Sequence, residues 1–356
     1  MSKIIEWNGY NINRKYIGKG SFAKVYYGIN IKTKQEVAIK KISYNGLTEK
    51  MKSKTLLEIN ILKNTDHPNI VKLYEYKFEE NYLFLILEYC NNGDLFDWIN
   101  KTKQCEETFN VIKQILEGMN YLHQNKIIHR DIKPQNILLH NSIIKICDFG
   151  FSQYFNNQLS LFRTVCGTPL YMSPEIINLQ DYTIKSEIWS LGILFYNIFF
   201  NEHPYGELLS VVDYRNKLTN PANLKNINIF NDTYCNYIFN NIINSMLCIN
   251  PNLRPTTETI LNEILNCEPD ETTPICFLNN DNNEEEFEIL KLSTEQLFKV
   301  DSIKTSSFIN SPCLAPTIKN VDFNDISLQN TIIIDDYFSN KQTADICSYI
   351  NSFNIL

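Results

Sequence analysis

Residues 129–150 restrict this chain more than any other stretch. They open with His129-Arg130-Asp131-Ile132-Lys133-Pro134-Gln135-Asn136, and seventeen residues after Asp131 comes Asp148-Phe149-Gly150, flanked by Ile144, Ile146 and Phe151. Asp131 is a candidate base and Lys133 a candidate neutraliser of phosphate charge. Asn136 and Asp148 are hard oxygen donors suited to Mg²⁺. Taken singly, each also reads as a turn residue. In this order, behind the two upstream elements described next, coincidence is negligible.

Upstream lies Ile17-Gly18-Lys19-Gly20-Ser21-Phe22-Ala23-Lys24-Val25. Glycines at 18 and 20 allow a tight strand-turn-strand whose backbone N–H groups can approach phosphates. Alone, the stretch also reads as an ordinary hairpin turn. Val37-Ala38-Ile39-Lys40 follows, a β-run ending in a lysine inside an otherwise apolar strand. Such a lysine needs an anionic partner, and Glu58 and a phosphate are both candidates. An edge-strand lysine facing water is the other reading. Short β-rich runs at 36–42, 71–78 and 82–88 alternate with Gly and Asn. A helical stretch at 48–63, with Leu57, Ile61 and Leu62 on one face, interrupts them. After Gly93, the spacing of Phe109, Ile112, Leu116, Met119 and Leu122 predicts a long amphipathic helix. A small β-rich lobe therefore leads into a larger helical one.

The 356 residues suit one large two-lobed domain plus an extension, with a core that needs no staple. Net charge is -7, but residues 268–356 carry 15 acidic and 5 basic side chains, so residues 1–267 come out near +3. The acidic balance argues against nucleic acid or an anionic membrane as the main partner. The ten cysteines form no C-x-x-C pair and no cluster at zinc spacing, as expected for reduced thiols in a cytoplasmic or nuclear protein. The start, M-S-K-I-I-E-W-N-G-Y, lacks the apolar run of a signal peptide. The longest apolar stretch, Trp189 to Phe200, is too short to span a bilayer. A soluble, intracellular monomer is expected.

In these motifs the chain resembles the eukaryotic protein kinases, over residues 10–267. The resemblance implies an α+β fold, the bilobal kinase fold, with a small lobe (10–87), a hinge (88–93) and a large lobe (94–267). It implies ATP and Mg²⁺ between the lobes and protein substrates. On it, Gly18, Gly20 and Ser21 belong to the loop over the phosphates, and Lys40, paired with Glu58, holds the α/β-phosphates. Leu87 is the gatekeeper, the Glu88 carbonyl and Cys90 N–H bind adenine, and Ile17, Val25, Ala38 and Leu138 sandwich the ring. Asp94 lies at the ribose. Asp131 orients the acceptor hydroxyl and takes its proton, Asn136 and Asp148 hold the Mg²⁺ ions, and Lys133 offsets γ-phosphoryl charge.

Lys133-Pro134 and Thr168 in Cys166-Gly167-Thr168-Pro169 resemble serine/threonine rather than tyrosine kinases, implying a non-specific serine/threonine protein kinase. Val165, Pro169 and Met172 match the pocket for the residue after the acceptor, so an apolar residue is expected there. Phe151 goes with serine over threonine. Gln135 and Asn197 stand where arginine-directed kinases carry glutamates, so arginine upstream is weakly selected. Thr164 matches an activating phosphorylation position, with Arg130 as the partner of the phosphate. Glu175 is expected to pair with Arg254, and Leu62, Leu73, His129 and Phe149 to stack between the lobes. Among departures, Ala23 replaces a third glycine, Ser173 an alanine, and Glu187 the helix aspartate that bonds the catalytic-loop backbone. Within the family, the motifs are most similar to the unc-51-like, autophagy-initiating branch, with calcium/calmodulin-dependent and polo-like relatives close.

Residues 268–356 carry no motif that points to a function. Glu284-Glu285-Glu286 lies in an acidic, Asn-rich stretch expected to be partly disordered. Ile332-Ile333-Ile334 and 346–356 are apolar enough to dock on the large lobe or on a partner. The alternative to an active kinase is an impaired pseudokinase acting as a scaffold or regulator, a reading prompted by Glu187.

Overall fold

Period-two alternation builds the small lobe. The computed structural model describes residues 4–20, 22–101, 105–155, 165–219, 238–266 and 332–334; Ser21, Thr164, 284–286 and 346–356 lie outside the described residues. Strands β1 (Ile4–Trp7), β2 (Tyr10–Lys19), β3 (Ala23–Asn30), β4 (Glu36–Ser43), β5 (Leu73–Glu79) and β6 (Tyr82–Glu88) form one antiparallel sheet in the order β1-β2-β3-β4-β6-β5. Val37 and Ile39 point to one face, where they pack with Tyr10, Phe84 and Ile86. Ala23, Ile42, Leu83 and Leu85 point to the other, against Met51 and Ile59 of helix α1 (Glu49–Asn64). The α1 helix begins where the side chain of Thr48 accepts the N–H of Met51 at 3.3 Å, a side-chain N-cap.

The sheet curls until its two edges meet. Trp7 of β1 donates Nε1–H to Glu79 of β5 at 2.8 Å, and its ring lies 4.3 Å from that of Phe84. Tyr10 O–H donates to Glu75, also on β5, at 2.6 Å. The sheet thus starts ahead of residue 10, with a four-residue strand at Ile4–Trp7.

Among the described residues, backbone bonds tie the large lobe both to residues 69–71 of the small lobe and to the hinge. Val71 N–H bonds Ile146 O at 2.9 Å, and Ile146 N–H bonds Asn69 O at 2.8 Å. At the hinge, Leu139 N–H bonds Gly93 O at 2.9 Å, and Asn92 N–H bonds Leu139 O at 3.1 Å. The large lobe holds helices α2 (Leu95–Ile99), α3 (Cys105–Gln124), α4 (Pro174–Ile177), α5 (Lys185–Phe200), α6 (Val211–Leu218) and α7 (Thr257–Asn266). The face of α3 bearing Ile112, Leu116, Met119 and Leu122 packs into one core with Ile188, Leu191, Leu194 and Phe195 of α5. Most of α5 is apolar and buried, so it is the central rod of the lobe. No helix among the described residues is long and apolar enough to cross a membrane. Among the described residues there are also three short antiparallel pairs. Strand β7 (Ile127–Ile128) pairs with β10 (Gln153–Tyr154), and β8 (Ile137–His140) with β9 (Ile143–Ile146). Strand β11 (Val165–Gly167) pairs with β12 (Ile332–Ile334).

Candidate active site

Register places the small-lobe side of the site. In the antiparallel ladder Val25 faces Lys40, Lys40 faces Leu85, and Ala38 faces Leu87. Direct partners share a face, as do residues two apart, so Val25, Ala38, Lys40 and Leu87 line the same side of the sheet. That is also the α1 side, where Lys40 Nζ donates to Glu58 Oε1 at 2.9 Å. The same ammonium stands 3.7 Å from Asp148 Oδ1. Burial pulls the Lys40 pKa down, but Glu58 and Asp148 outweigh it, and the group ends above its ordinary value. Lys40 is a buried cation held by anions, and the reading of a lysine facing water is set aside.

The β2–β3 hairpin covers this face. Gly18 lies opposite Val25, and Gly20 N–H bonds Ala23 O at 2.8 Å across the turn. The stretch is therefore a hairpin turn and a glycine loop at once. Ile17, with 52% of its surface accessible, and the half-buried Val25, Ala38 and Leu138 remain open to the space between the lobes. At the hinge, the Glu88 carboxylate is committed to Lys145 at 2.7 Å. Burial, then the charge of Glu88, pushes the Cys90 thiol up to about 12, so it stays protonated. Asp94 caps α2, accepting the N–H of Asp97 at 2.9 Å. Desolvation raises the Asp94 carboxyl above its ordinary value.

The large lobe supplies the rest on a loop whose backbone is tightly fixed. Asp131 is held by its neighbours Thr168, Asn136 and Lys133. Thr168 O–H donates to Oδ1 at 2.8 Å, Asn136 Nδ2 donates to Oδ2 at 3.0 Å, and Lys133 Nζ stands 3.1 Å from Oδ2. Lys133 also donates to Thr168 Oγ1 at 3.0 Å, closing a buried triangle. Asn136 donates a second bond to Asp131 O at 2.8 Å. With the amide nitrogen committed to Asp131, the Asn136 carbonyl oxygen is the part of that side chain that can face a cation. Asp148 Oδ1 is buried and accepts no hydrogen bond, although Lys40 lies near it. A buried, unbonded carboxylate oxygen is costly unless a cation completes it.

Two left-handed residues in this loop system require external ties. Arg130 has φ +69° and Asp148 φ +61°, both unfavourable for side chains with a Cβ. Glu187, near the start of α5, holds the first: its Oε1 accepts the N–H groups of His129 at 2.9 Å and Arg130 at 2.7 Å. The extra methylene that separates it from aspartate lets Oε2 reach His123 Nε2 at 2.7 Å. Burial would raise the Glu187 pKa, but bonds from His123, His129 and Arg130 overcome it, and the carboxyl lies below its ordinary value. Near Asp148, His129 Nε2 bonds Cys147 O at 2.9 Å, and its ring meets that of Phe149 edge-on at 5.0 Å. Leu62 and Phe149 share the main core, with Leu73 packed against it.

The expected tie below the site is present. Arg254 donates to both oxygens of Glu175, at 2.7 and 2.8 Å, and its guanidinium lies 5.0 Å from the Trp189 ring centroid. Three participants had not been singled out by sequence: Lys145, His123 and the hydroxyl role of Thr168. Lys145 sits in Ile143-Ile144-Lys145-Ile146, a lysine in an apolar strand like Lys40, so the same rule finds it.

Fold and site together define a protein kinase catalytic domain. The family described as protein kinase domain matches residues 10–265, and the chain belongs to it. The chain is 41% identical over 218 residues to serine/threonine-protein kinase atg1 of Dictyostelium discoideum, covering 58% of this chain and 32% of that protein. Serine/threonine-protein kinase ULK1 of Homo sapiens is 41% identical over 204 residues, 53% of this chain and 19% of that protein. A putative serine/threonine-protein kinase, R517/R518, of Acanthamoeba polyphaga mimivirus is 35% identical over 262 residues, 65% of this chain and 57% of that protein. The kinase resemblance, and the likeness to the unc-51-like branch within it, are thereby shown. The chain spans between about a fifth and just over half the length of these three relatives.

Proposed function

We propose that this chain transfers the γ-phosphoryl group of ATP to a serine or threonine hydroxyl of protein substrates. The observation that carries the reading is the buried charge line from Glu58 through Lys40 to Asp148, at 2.9 and 3.7 Å. An active kinase needs the lysine–glutamate pair formed and the aspartate of the second motif free to hold a cation, and Lys40–Glu58 and the unbonded Asp148 Oδ1 match that need. Asp148 Oδ1 and the Asn136 carbonyl fit a divalent cation, Mg²⁺ in our reading, because both are hard oxygen donors beside phosphate-binding groups. A bound cation would neutralise phosphate charge. Asp131, held in orientation by Thr168 and Asn136, accepts the proton of the acceptor hydroxyl. Lys133 and Lys40 stabilise the negative oxygens of the transferred and anchoring phosphates. Gly18, Gly20 and Ser21 cover the phosphates. Ile17, Val25, Ala38 and Leu138 sandwich the base, the Glu88 carbonyl and Cys90 N–H bond it, and Asp94 takes the ribose.

The catalytic unit is read as residues 10–267. Substrate preference is read as serine followed by an apolar residue, supported by buried Phe151, Pro169 and Met172. Phosphorylation of Thr164 is read as activating, so Thr164→Ala should lower turnover. The bonds from His129 and Arg130 to Glu187 support an active enzyme over a pseudokinase scaffold, since the departing residue still performs the loop-holding task. The test is incorporation of label from ATP into a generic serine substrate with Mg²⁺, beside an Asp131→Asn control. Equal incorporation by the two proteins overturns the reading.

A further inference from the structure

The extension touches the catalytic domain at one place among the described residues, and that place is the segment leading to Asp131. Strand β12 pairs antiparallel with β11 in the register Val165↔Ile334, Cys166↔Ile333, Gly167↔Ile332. From this ladder we infer that the Val165–Gly167 edge is a strand-addition site for protein substrates, which Ile332–Ile334 of the same chain occupies in competition with them. The inference rests on the kinase reading above and names a regulator of that site.

Three observations support it. First, β11 is locked to the catalytic loop. Gly167 has φ +119°, and a Cβ there would stand 2.7 Å from Arg130 O, so the strand lies directly against the residue preceding Asp131. Second, the residue after β11 is Thr168, whose hydroxyl bonds both Asp131 and Lys133. A peptide laid along this edge is therefore carried to the base within about one residue, a rise of roughly 3.3 Å. Third, the chemistry of the occupant matches. β-Branched isoleucines favour extended pairing, and the pocket formed with Pro169 and Met172 was read as apolar. Ile332, Ile333 and Ile334 themselves offer no hydroxyl, although Thr331 precedes them in sequence. Main-chain bonds supply affinity in such strand addition, and the side chains supply selectivity. Because the ligand belongs to the same chain, its occupancy does not depend on protein concentration.

The test uses the full chain and an Ile333→Pro variant, which disfavours strand pairing at the middle of the three-residue ladder without altering the catalytic domain. The melting temperature should be unchanged. Amide exchange at Val165–Gly167 should accelerate in the variant. Binding of a serine peptide with an apolar residue after the serine, read by fluorescence polarisation, should tighten about threefold or more, as expected when a tethered competitor is removed. KM for the same peptide should fall by a similar factor, with KM for ATP unchanged. Substituting all three isoleucines with aspartate should reproduce each shift. Unchanged exchange at Val165–Gly167, or unchanged peptide binding, overturns the inference. Absence of phosphoryl transfer by both proteins overturns the kinase reading instead, and exchange and polarisation still decide whether the strand competes.

Discussion

Replacing Glu187 with aspartate tests whether the longer side chain is integral to the catalytic loop. The carboxylate accepts the amides of His129 and Arg130 at 2.9 and 2.7 Å and meets His123 Nε2 at 2.7 Å. Aspartate is shorter by one carbon–carbon bond, about 1.5 Å. On an unmoved backbone these distances grow to roughly 4 Å, beyond hydrogen-bond range. Each buried donor left without a partner costs about 1–3 kcal/mol. Partial relaxation recovers some of this, so a loss of about 2–4 kcal/mol is expected. For a domain of this size that lowers the melting temperature by roughly 4–16 °C. Turnover should fall further than stability, at least tenfold at a temperature where the variant is fully folded, because Arg130 keeps its φ of +69° through that amide bond. Glu187→Gln, whose carbonyl can still accept both amides, should melt between the two proteins and keep more turnover than the aspartate variant. Differential scanning calorimetry and steady-state phosphoryl transfer read the two quantities. An aspartate variant that melts within about 2 °C of the parent and turns over within about twofold would refute the reasoning.

Other perturbations follow from the same structure. Gly167→Ala forces a Cβ to within 2.7 Å of Arg130 O at a φ of +119°; a destabilisation of about 2–4 kcal/mol by chemical denaturation and a loss of most activity are expected. Arg254→Leu strands the buried carboxylate of Glu175 and should cost about 3–5 kcal/mol, read as a lowered denaturation midpoint. Burial would raise the Glu175 pKa, but Arg254 wins and the group lies below its ordinary value. That contribution is therefore present above the ordinary carboxyl pKa and is lost as pH falls through the depressed one. Burial lowers His203 to about 4. Its Nε2–H donates to Leu170 O at 2.9 Å while Nδ1 accepts the Tyr205 N–H at 3.2 Å, so a second proton has no place. The unfolded chain binds that proton below about pH 6.5, so stability should decline from pH 6.5 towards 4, by at most about 3 kcal/mol. His203→Gln should flatten that part of a stability-against-pH curve, measured by urea unfolding.

The chain announces its site more openly than its supports. Asp131, Lys133, Asn136 and Asp148 lie in two short runs, and residue type and order alone make them candidates for base, charge neutraliser and cation donors. The helix at Glu49–Asn64 and the strand at Tyr82–Glu88 also follow from local periodicity and differ from expectation by at most a residue. What escaped depends on distant partners. Strand Ile4–Trp7 is too short to show alternation, and what fixes it beyond β2 is Glu79 and Phe84, more than seventy residues away. His123 looks like any polar residue at a helix end until α5 brings Glu187 to it. The three isoleucines of β12 were legible as sticky, but the register that seats them opposite Val165–Gly167 is a property of the folded ladder and of no local pattern.

The curled sheet of the small lobe has a consequence for association between molecules. An antiparallel sheet with two open borders offers unpaired backbone groups to any passing strand, the usual seed of aggregation. Here Trp7 on the border strand β1 and Tyr10 at the start of β2 are fastened to Glu79 and Glu75 on the opposite border, β5. Closure by these side chains leaves a neighbouring molecule little straight backbone to template upon. The residues ahead of the kinase match cover the border of β2, and a protein trimmed to begin at Tyr10 would lose β1 and expose that border.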